Sequence, residues 1–535
     1  MNPQPISRRN RSDTSGNNTS AVSSETTPAH RSAFTALGFQ GTIADLRQEI
    51  RALYAADEIP WIVGYSGGKD STATLQLIWS AIAELPLDRR RKTIHVISTD
   101  TLVENPIVSA WVENSLQVMA RNAEQIAMPV VPRLLRPRLE EAFWVNLIGR
   151  GYPAPRHKFR WCTERLKIAP SNAFITNIVS ASGEAILVLG TRKAESLRRA
   201  ANMAKHEKGR VRHRLSPNSR LPGSLIYTPI EDWTNDDVWL FLMEQPNPWG
   251  YDNRDLLDMY AGASADGECP LVVDDSTPSC GDSRFGCWVC TLVEQDRSMA
   301  AMIQNDEEKG WMLPLLEIRN ALDFRTGKPD AQDQSETDRH LRDFRRMNGA
   351  VQLMKSGREI PGPYTQQARA DWLSRLLTAQ TRIRTNGPQE VRDSEIRDIR
   401  LISLEELQEI RRIWVVDKHE LEDLLPGIYR DATGENYPGC PLDDNPMLGA
   451  SEMQLLKDLC GADRLHYELT RELLSITRQQ HSSGRRTGLH RRFEQAFKRH
   501  FFDDREDAID RARQLASERE VIKGQRKQLS NAGSS

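Results

Sequence analysis

Between a short apolar run and an amphipathic one the chain reads Tyr65-Ser66-Gly67-Gly68-Lys69-Asp70-Ser71-Thr72, and this octet constrains the fold more than any other feature. Two adjacent glycines let backbone amides turn toward an anion, and a helix starting there adds its partial positive charge. Ser66 and Ser71 offer hydroxyl donors and Lys69 a cation. A loop of this kind belongs where a strand hands over to a helix, with ligand bound beyond the carboxyl ends of the strands. Asp70 would repel bare phosphate, so it is expected to orient the loop or to help hold Mg2+. The loop is not a Walker A motif: Gly64 and Gly68 are too close, and Asp70 stands where Ser or Thr would follow the lysine.

The flanking pattern agrees. From about Phe34 to Trp249, short apolar runs alternate with longer amphipathic ones, which predicts an α/β domain with a doubly wound, mostly parallel sheet. Strands are expected over 59–65, 93–99, 129–134, 185–190 and 225–229, and helices over 70–84, 103–120, 139–148 and 163–178. The expected organisation is a disordered tail over 1–33, the nucleotide-binding domain over 34–250, a cysteine-rich segment over 251–300, a mainly helical region over 301–484, and a basic, charged helical tail over 485–535. The 251–290 stretch reads as irregular, and a long charged helix is expected over 503–529. Trp233 and Trp239 read as core residues.

The N-terminal Ser-, Thr- and Asn-rich stretch has no apolar core, and no apolar run approaches the roughly 20 residues of a membrane-spanning helix. The expectation is a cytoplasmic protein with no membrane partner. A net charge of −2 means that any nucleic-acid-binding surface must be local. One candidate is the run Arg198, Arg199, Lys205, Lys208, Arg210, Arg212, Arg214 and Arg220, where Glu207 is the only acid; it reads as a basic loop able to track a polyphosphate backbone. A second patch holds Arg485, Arg486, Arg491, Arg492, Lys498 and Arg499, interleaved with Phe493, Phe497, Phe501 and Phe502. It reads first as a solvated helical face.

Seven cysteines, an odd number in a chain with no recognisable export signal, argue for metal or redox chemistry rather than a disulfide framework. Cys269, Cys280, Cys287 and Cys290 are spaced C-x10-C-x6-C-x2-C, enough thiolates for one cluster or one zinc ion. Spacing alone does not separate these two. Cys162 lies in Arg156-His157-Lys158-Phe159-Arg160-Trp161-Cys162-Thr163, where neighbouring cations are expected to lower its pKa and suit it to act as persulfide carrier, attacking thiolate or additional cluster ligand. Cys440 and Cys460 read as structural.

Ser-Gly-Gly-Lys-Asp-Ser resembles the pyrophosphate loop of the adenine nucleotide α-hydrolase superfamily. Three later segments are similar to its PAPS-reductase-like branch: Ser98-Thr99-Asp100-Thr101, Leu189-Gly190-Thr191-Arg192-Lys193-Ala194-Glu195-Ser196, and the stretch from Thr228-Pro229-Ile230-Glu231-Asp232-Trp233 to Trp239. The C-terminal half, from Leu401 through Trp414 and from Leu424 to Tyr429, together with the segment around Cys162, resembles the DndC family, the ATP-pyrophosphatase and sulfurtransferase component of bacterial DNA phosphorothioation.

That resemblance implies ATP and Mg2+ bound through Ser66, Gly67, Gly68, Lys69, Asp70, Ser71, Asp100 and Arg192. Catalytic roles fall to Asp70, Lys69, Arg192 and Cys162, and a 4Fe–4S cluster to the four grouped cysteines. The implied partners are DNA, a cysteine desulfurase as sulfur donor and the other subunits of a phosphorothioation complex. Two rivals share the loop. An adenylyl sulfate or PAPS reductase would need a C-terminal Glu-Cys-Gly run followed by Ile or Leu and His, which neither Glu268-Cys269-Pro270 nor Cys460-Gly461 supplies. A tRNA thiolase is compatible with the loop and not with the C-terminal resemblance. A non-enzymatic, cluster-bearing DNA-binding subunit would not need the intact loop.

Overall fold

The computed structural model describes residues 31–157, 159–264, 285–324, 338–386, 399–442, 448–481 and 488–532. Six strands form one sheet in the order β3-β2-β1-β4-β6-β5. They are β1 Trp61–Gly64, β2 Ile94–Thr99, β3 Val130–Leu135, β4 Ala185–Val188, β5 Ser216–Pro217 and β6 Ser224–Tyr227. All neighbours are parallel except the short edge strand β5, which runs antiparallel to β6. Trp-Ile-Val-Gly in β1 and Ala-Ile-Leu-Val in β4 are nearly continuous apolar runs, as central strands covered on both faces must be.

The first strand is followed by a helix on one side of the sheet order and β4 lies on its other side, so β1 and β4 flank the point where the winding reverses. In such sheets the crevice beyond the strand ends at that point is where ligands bind.

Helix α1 (Gly38–Ala55) precedes the sheet, and α2 (Lys69–Ala83), α3 (Pro106–Gln125) and α4 (Ala169–Ser182) follow the first, second and third strands. Alpha-two is buried along most of its length, from Ser71 to Ile82. Folded structure begins close to the expected residue: the Ser32 hydroxyl and Ala33 amide both bond the Asp237 carboxylate, at 2.5 and 3.0 Å. Trp233 and Trp239 are core residues as expected, 2% and 0% exposed.

Several expectations need correction. The predicted helix over 139–148 is a 3-10 turn, Leu139–Glu141, then a π-helical turn, Val145–Arg150. A second π turn, Thr163–Ile168, opens the helix carrying Cys162 at its N-cap. The 251–290 stretch is not irregular throughout, since α7 (Asn253–Gly262) follows α6 (Asn235–Glu244). The basic run from Arg198 is in good part a helix, α5 (Leu197–Glu207), rather than a loop. The charged C-terminal helix spans Arg505–Ala532.

Two large apolar cores support this frame. One lies under the sheet and unites α1, α2, α3 and the 227–260 region. The other joins Val103, Ala142–Ile148, Trp161 and Leu166 to Trp288 and to the helical residues 299–425. The segments resembling the DndC family belong to it: Leu401, Ile402, Leu407, Ile410, Ile413, Trp414 and Leu425 are all buried there. The Trp414 indole donates to the Ile148 carbonyl at 3.0 Å, and a side chain at Gly149 would meet Ile413 and Ile410 at 3.2 and 3.4 Å. The helical region is therefore packed onto the edge of the sheet domain by the same residues that carry the resemblance.

Candidate functional site

The phosphate loop runs from β1 into α2 as the sequence predicts. Gly67 has φ +74°, and a Cβ there would lie 2.5 Å from Val112 Cγ2, so both backbone and packing require glycine. Gly68 is the N-cap of α2. The Ser71 hydroxyl donates to the Gly68 carbonyl at 2.9 Å, accepts from the Ser66 amide at 3.2 Å, and lies 3.1 Å from the Ser66 hydroxyl. Trp111 of α3 donates to the Gly67 carbonyl at 3.3 Å, and the Lys69 amide donates to the Tyr260 hydroxyl at 3.4 Å. The loop is thus held by α3 and α7 and faces a cavity of about 1080 Å³, which Val112 and Tyr260 also line.

That cavity collects most of the expected residues: Ser66, Gly68, Lys69, Asp70, Ser71, Asp100 and Arg192 all line it. The loops after β1 and β4 touch. Gly190 permits this, because a Cβ there would sit 2.6 Å from the Asp70 carbonyl oxygen and 2.8 Å from Thr74 Oγ1. Across the contact, Arg192 Nε donates to Asp70 Oδ1 at 2.7 Å and Nη1 to the Trp233 carbonyl at 3.3 Å. Lys69 Nζ lies 3.5 Å from the other Asp70 oxygen. The Asp70 carboxylate holds the buried Arg192 guanidinium beside the loop. Asp100 follows β2, accepts from the Leu102 amide at 2.8 Å and pairs with Arg136 at 3.0 Å. Leu102, at φ +64°, turns the chain back toward the thiols.

The Cys287–Cys290 segment lies against this same wall. Glu104 and Cys287 form an antiparallel bridge, the Trp288 amide donates to the Val103 carbonyl at 2.9 Å, and the Asn105 amide to Gly286 at 3.3 Å. Cys287 Sγ is 3.4 Å from the Thr101 hydroxyl and 3.6 Å from Glu104 Oε1, while Lys167 pairs with Glu104 at 3.1 Å. Glu104 and Lys167 also line the cavity. Burial, with Glu104 adding to it, pushes the Cys287 thiol up to about 12.

The expected activation of Cys162 is not found. Burial raises its pKa instead, with Cys290 acting in the same direction. Three nearby cations are engaged elsewhere, Arg156 with Asp338, Arg165 with Glu141 and Lys167 with Glu104, while Lys158 lies outside the described residues. Cys440 is exposed rather than buried, and its carbonyl accepts from Arg411 at 2.9 Å.

The basic run near Arg198 is also less available than its composition implies. Arg210 and Arg214 converge on the buried Glu231, Arg214 also pairs with Glu49 at 3.1 Å, and Arg212 with Asp57 at 3.3 Å. These arginines fasten the 210–214 turn to the sheet domain. Arg199 and Arg220 line the cavity. In the second patch, Arg485 and Arg486 lie outside the described residues. Arg499 pairs with Glu472 and Lys498 with Glu494, and Phe497 and Phe501 are exposed by 47% and 67%.

Sequence reasoning missed Glu104, Lys167, Trp111 and Tyr260. Glu104 and Lys167 adjoin motifs that were noted, at Asp100–Thr101 and Cys162–Ile168. Tyr260 meets the loop from 191 positions away, and no local signal marks it.

The donors can be tested against the implied groups. The loop, its helix N-terminus, Lys69 and Arg192 fit a di- or triphosphate. For Mg2+ the fit is poorer, since Asp70 and Asp100 are each paired with an arginine. Cys269 and Cys280 lie outside the described residues. Among the described residues no three His, Cys, Asp or Glu side chains are grouped closely enough to hold a metal ion. Cys287, Cys290 and Cys162 by themselves do not form a cluster site. Among the described residues no helix is long and apolar enough to cross a membrane.

Residues 60–250 match the family model of the phosphoadenosine phosphosulfate reductase domain, so this stretch is a PAPS reductase-like domain. An uncharacterized protein of Methanocaldococcus jannaschii is 27% identical over 200 residues, a match that spans 37% of this chain and 35% of that protein's length. Solved structures with a related outline include a phosphoadenylyl-sulfate reductase from Candida auris in a phosphate complex. It is 12% identical with TM-score 0.24, covering 40% of this chain and 88% of that one. The U34-tRNA thiolase NcsA of Methanococcus maripaludis, with its 4Fe–4S cluster, is 14% identical with TM-score 0.26, covering 55% and 84%. The FMN adenylyltransferase of Candida glabrata, with FAD and pyrophosphate, is 11% identical with TM-score 0.26, covering 50% and 75%.

Proposed function

We propose that this chain is a nucleotide-dependent sulfurtransferase that cleaves ATP between its α and β phosphates and activates a DNA backbone phosphate for sulfur incorporation. The observation that carries the reading is the shared wall: the segment bearing Cys287 and Cys290 is bonded to residues 103–105, which border the same cavity as the phosphate loop. Nucleotide chemistry and sulfur chemistry can then act on one bound phosphate. The resemblance of the C-terminal half to the DndC family supplies the substrate.

In this reading the loop amides from Gly67 to Asp70, the Ser66 hydroxyl and Lys69 hold the pyrophosphate portion of ATP. Arg192, fixed by Asp70, meets charge that develops on the phosphoryl oxygens. A non-bridging oxygen of the DNA phosphate attacks the α-phosphorus, and pyrophosphate leaves. The terminal sulfur of a cysteine persulfide, loaded by a cysteine desulfurase, then displaces AMP from the backbone phosphorus, and AMP carries the oxygen away. A second thiol cleaves the remaining S–S bond, forming a disulfide that an external thiol reductant must reset. We assign these two thiol roles to Cys162 and Cys290, whose charges act on one another.

A second reading, reduction of an adenylyl sulfate, is favoured by the family model over residues 60–250. Mass spectrometry of nuclease-digested genomic DNA and tRNA separates these readings. Cells with the intact gene and its partner genes should contain sulfur-linked dinucleotides that disappear with Asp70→Ala and with Cys290→Ser. If the DNA lacks them in every strain while sulfite assimilation or thiolated tRNA bases depend on the gene, the DNA assignment is wrong and only the nucleotide chemistry stands.

A further inference from the structure

A second cavity, of about 320 Å³, lies where the Val145–Arg150 turn, residues 343–349, the start of the Gln366–Asn386 helix and the Ile413–Glu420 segment meet. It is separate from the nucleotide cavity and shares no lining residue with it. Its walls are crowded with charge, and most of that charge is matched. Arg345 pairs with Asp343 and Glu468 at 2.8 and 2.5 Å, Arg369 with Glu420, Arg471 with Glu422 at 2.8 Å, and Arg499 with Glu472.

Three lining cations are different. Arg150 donates to the Glu140 carbonyl and to Asn146 Oδ1, Arg346 donates to the Pro361 carbonyl at 2.8 Å, and neither meets a carboxylate among the described residues. The Lys418 ammonium has neither a hydrogen bond nor an ion pair among the described residues. All three are half-buried.

We propose that Arg150, Arg346 and Lys418 form an anion-binding site, independent of the pyrophosphate loop, that takes a phosphate group in this cavity. Cations held out of bulk water without counter-charge are costly, and an anion seated among them removes that cost. Two guanidinium groups and an ammonium arriving from three chain segments suit an oxyanion with several acceptor oxygens better than a halide, which has no directional lone pairs to match two planar forks. The volume exceeds what one water or halide fills. Burial and the Arg369 guanidinium hold Lys418 down to about 8 against the opposing pull of Glu420, Asp343 and Asp417, none of which pairs with it directly. The phosphate has two possible sources: a small free phosphate or pyrophosphate, or a phosphodiester of a nucleic-acid strand. This inference does not depend on the reaction assigned to the first cavity.

The test is site-resolved amine labelling of the full-length protein, with Lys418 modification followed by peptide mass spectrometry. Inorganic phosphate, pyrophosphate and a short oligonucleotide are added separately, each against chloride at equal ionic strength. Lys418 should be protected by at least one of them, and the half-protecting concentration should rise about tenfold in Arg346→Gln and in Arg150→Gln, one charge-assisted contact being lost in each. Protection by the small anions alone identifies a free phosphate; protection by the oligonucleotide alone identifies a phosphodiester. Lys69, in the pyrophosphate loop, is read in the same digest and reports the first site independently. If Lys418 labelling is unchanged by all three probes while Lys69 is protected by pyrophosphate, the second site does not exist. Protection of Lys418 that persists unweakened in both arginine variants overturns the proposed composition of the site.

Discussion

Replacing Asp70 with Asn distinguishes a carboxylate that tethers Arg192 from one that helps to hold phosphate through a metal. Asp70 Oδ1 lies 2.7 Å from Arg192 Nε, with the guanidinium 4% exposed and the carboxylate 25%. The variant leaves Arg192 with the Trp233 carbonyl and a neutral amide. Removing one partner of a fully buried pair costs about 3–5 kcal/mol. A quarter-exposed carboxylate is partly screened, so ~1–3 kcal/mol is the reasonable range here. That corresponds to a fall in melting temperature of roughly 2–4 °C per kcal/mol for a folding unit of about 150–250 residues.

The anion should respond in the opposite sense. At about 5 Å and an effective dielectric near ~20, the carboxylate repels each phosphate charge by roughly 3 kcal/mol. Screening leaves about half of this, roughly 1.4 kcal/mol or tenfold in affinity. Asp70→Asn should therefore melt earlier without ligand, bind metal-free pyrophosphate about tenfold more tightly by calorimetry in EDTA, and recover more stability on binding than the wild type. A variant that melts as the wild type does would refute the tether, and one that loses pyrophosphate affinity only when Mg2+ is present would assign the carboxylate to holding the metal.

Gly190→Ala should act on the same contact by crowding. Its new Cβ would meet the Asp70 carbonyl oxygen at 2.6 Å, and such overpacking costs about 1–3 kcal/mol. Thermal melts should show that loss together with weakened pyrophosphate binding, and an unchanged melt would mean that the β1 and β4 loops are not in contact. Lys418→Met should stabilise the ligand-free protein at neutral pH, by ~1–2 kcal/mol after allowance for half-burial. The sign follows from a folded pKa of about 8 against an ordinary 10.5: between these values the unfolded chain holds a proton that the native state has released. Wild-type stability therefore rises with pH across that window, and the advantage of Lys418→Met is full below pH 8 and gone above 10.5. Arg369, Glu420, Asp343 and Asp417 act on the same ammonium, so denaturant melts of the two proteins are compared with those groups unchanged.

The strand pattern and the phosphate loop were legible because both are local. Near-continuous apolar runs mark central parallel strands, and a glycine pair followed by Lys-Asp-Ser marks a strand-to-helix turn whatever lies elsewhere. The motif at Leu189–Ser196 pointed correctly to Arg192 as a cavity residue. Its carboxylate partner could not be read, since Asp70 is 122 positions away and only the sheet order brings β1 beside β4. Charge was the least legible property. Arg210, Arg212 and Arg214 looked like a free basic surface because Glu231, Glu49 and Asp57 are distant in sequence and adjacent in space. Cys162 failed for the same reason: three nearby cations have acidic partners supplied by other segments, and burial then governs the thiol. A run of arginines therefore indicates where carboxylates are needed as readily as where phosphate binds.

The element that ties phosphate and thiol chemistry together is α3, which sequence reading treated as a plain crossover helix. Its N-cap Asn105 is bonded through its amide to Gly286, one residue before Cys287. Trp111 and Val112, two turns along, brace Gly67. One rigid helix thus touches the cysteine segment at its N-cap and the pyrophosphate loop with its second turn. Any ligand that shifts the loop against Trp111 must move the α3 N-terminus, the second core or both. The second core resists, because Val103 and Trp288 are buried in it together. The structure therefore favours a fixed spacing between the loop and Cys287, with substrate rather than a moving domain closing the distance between them.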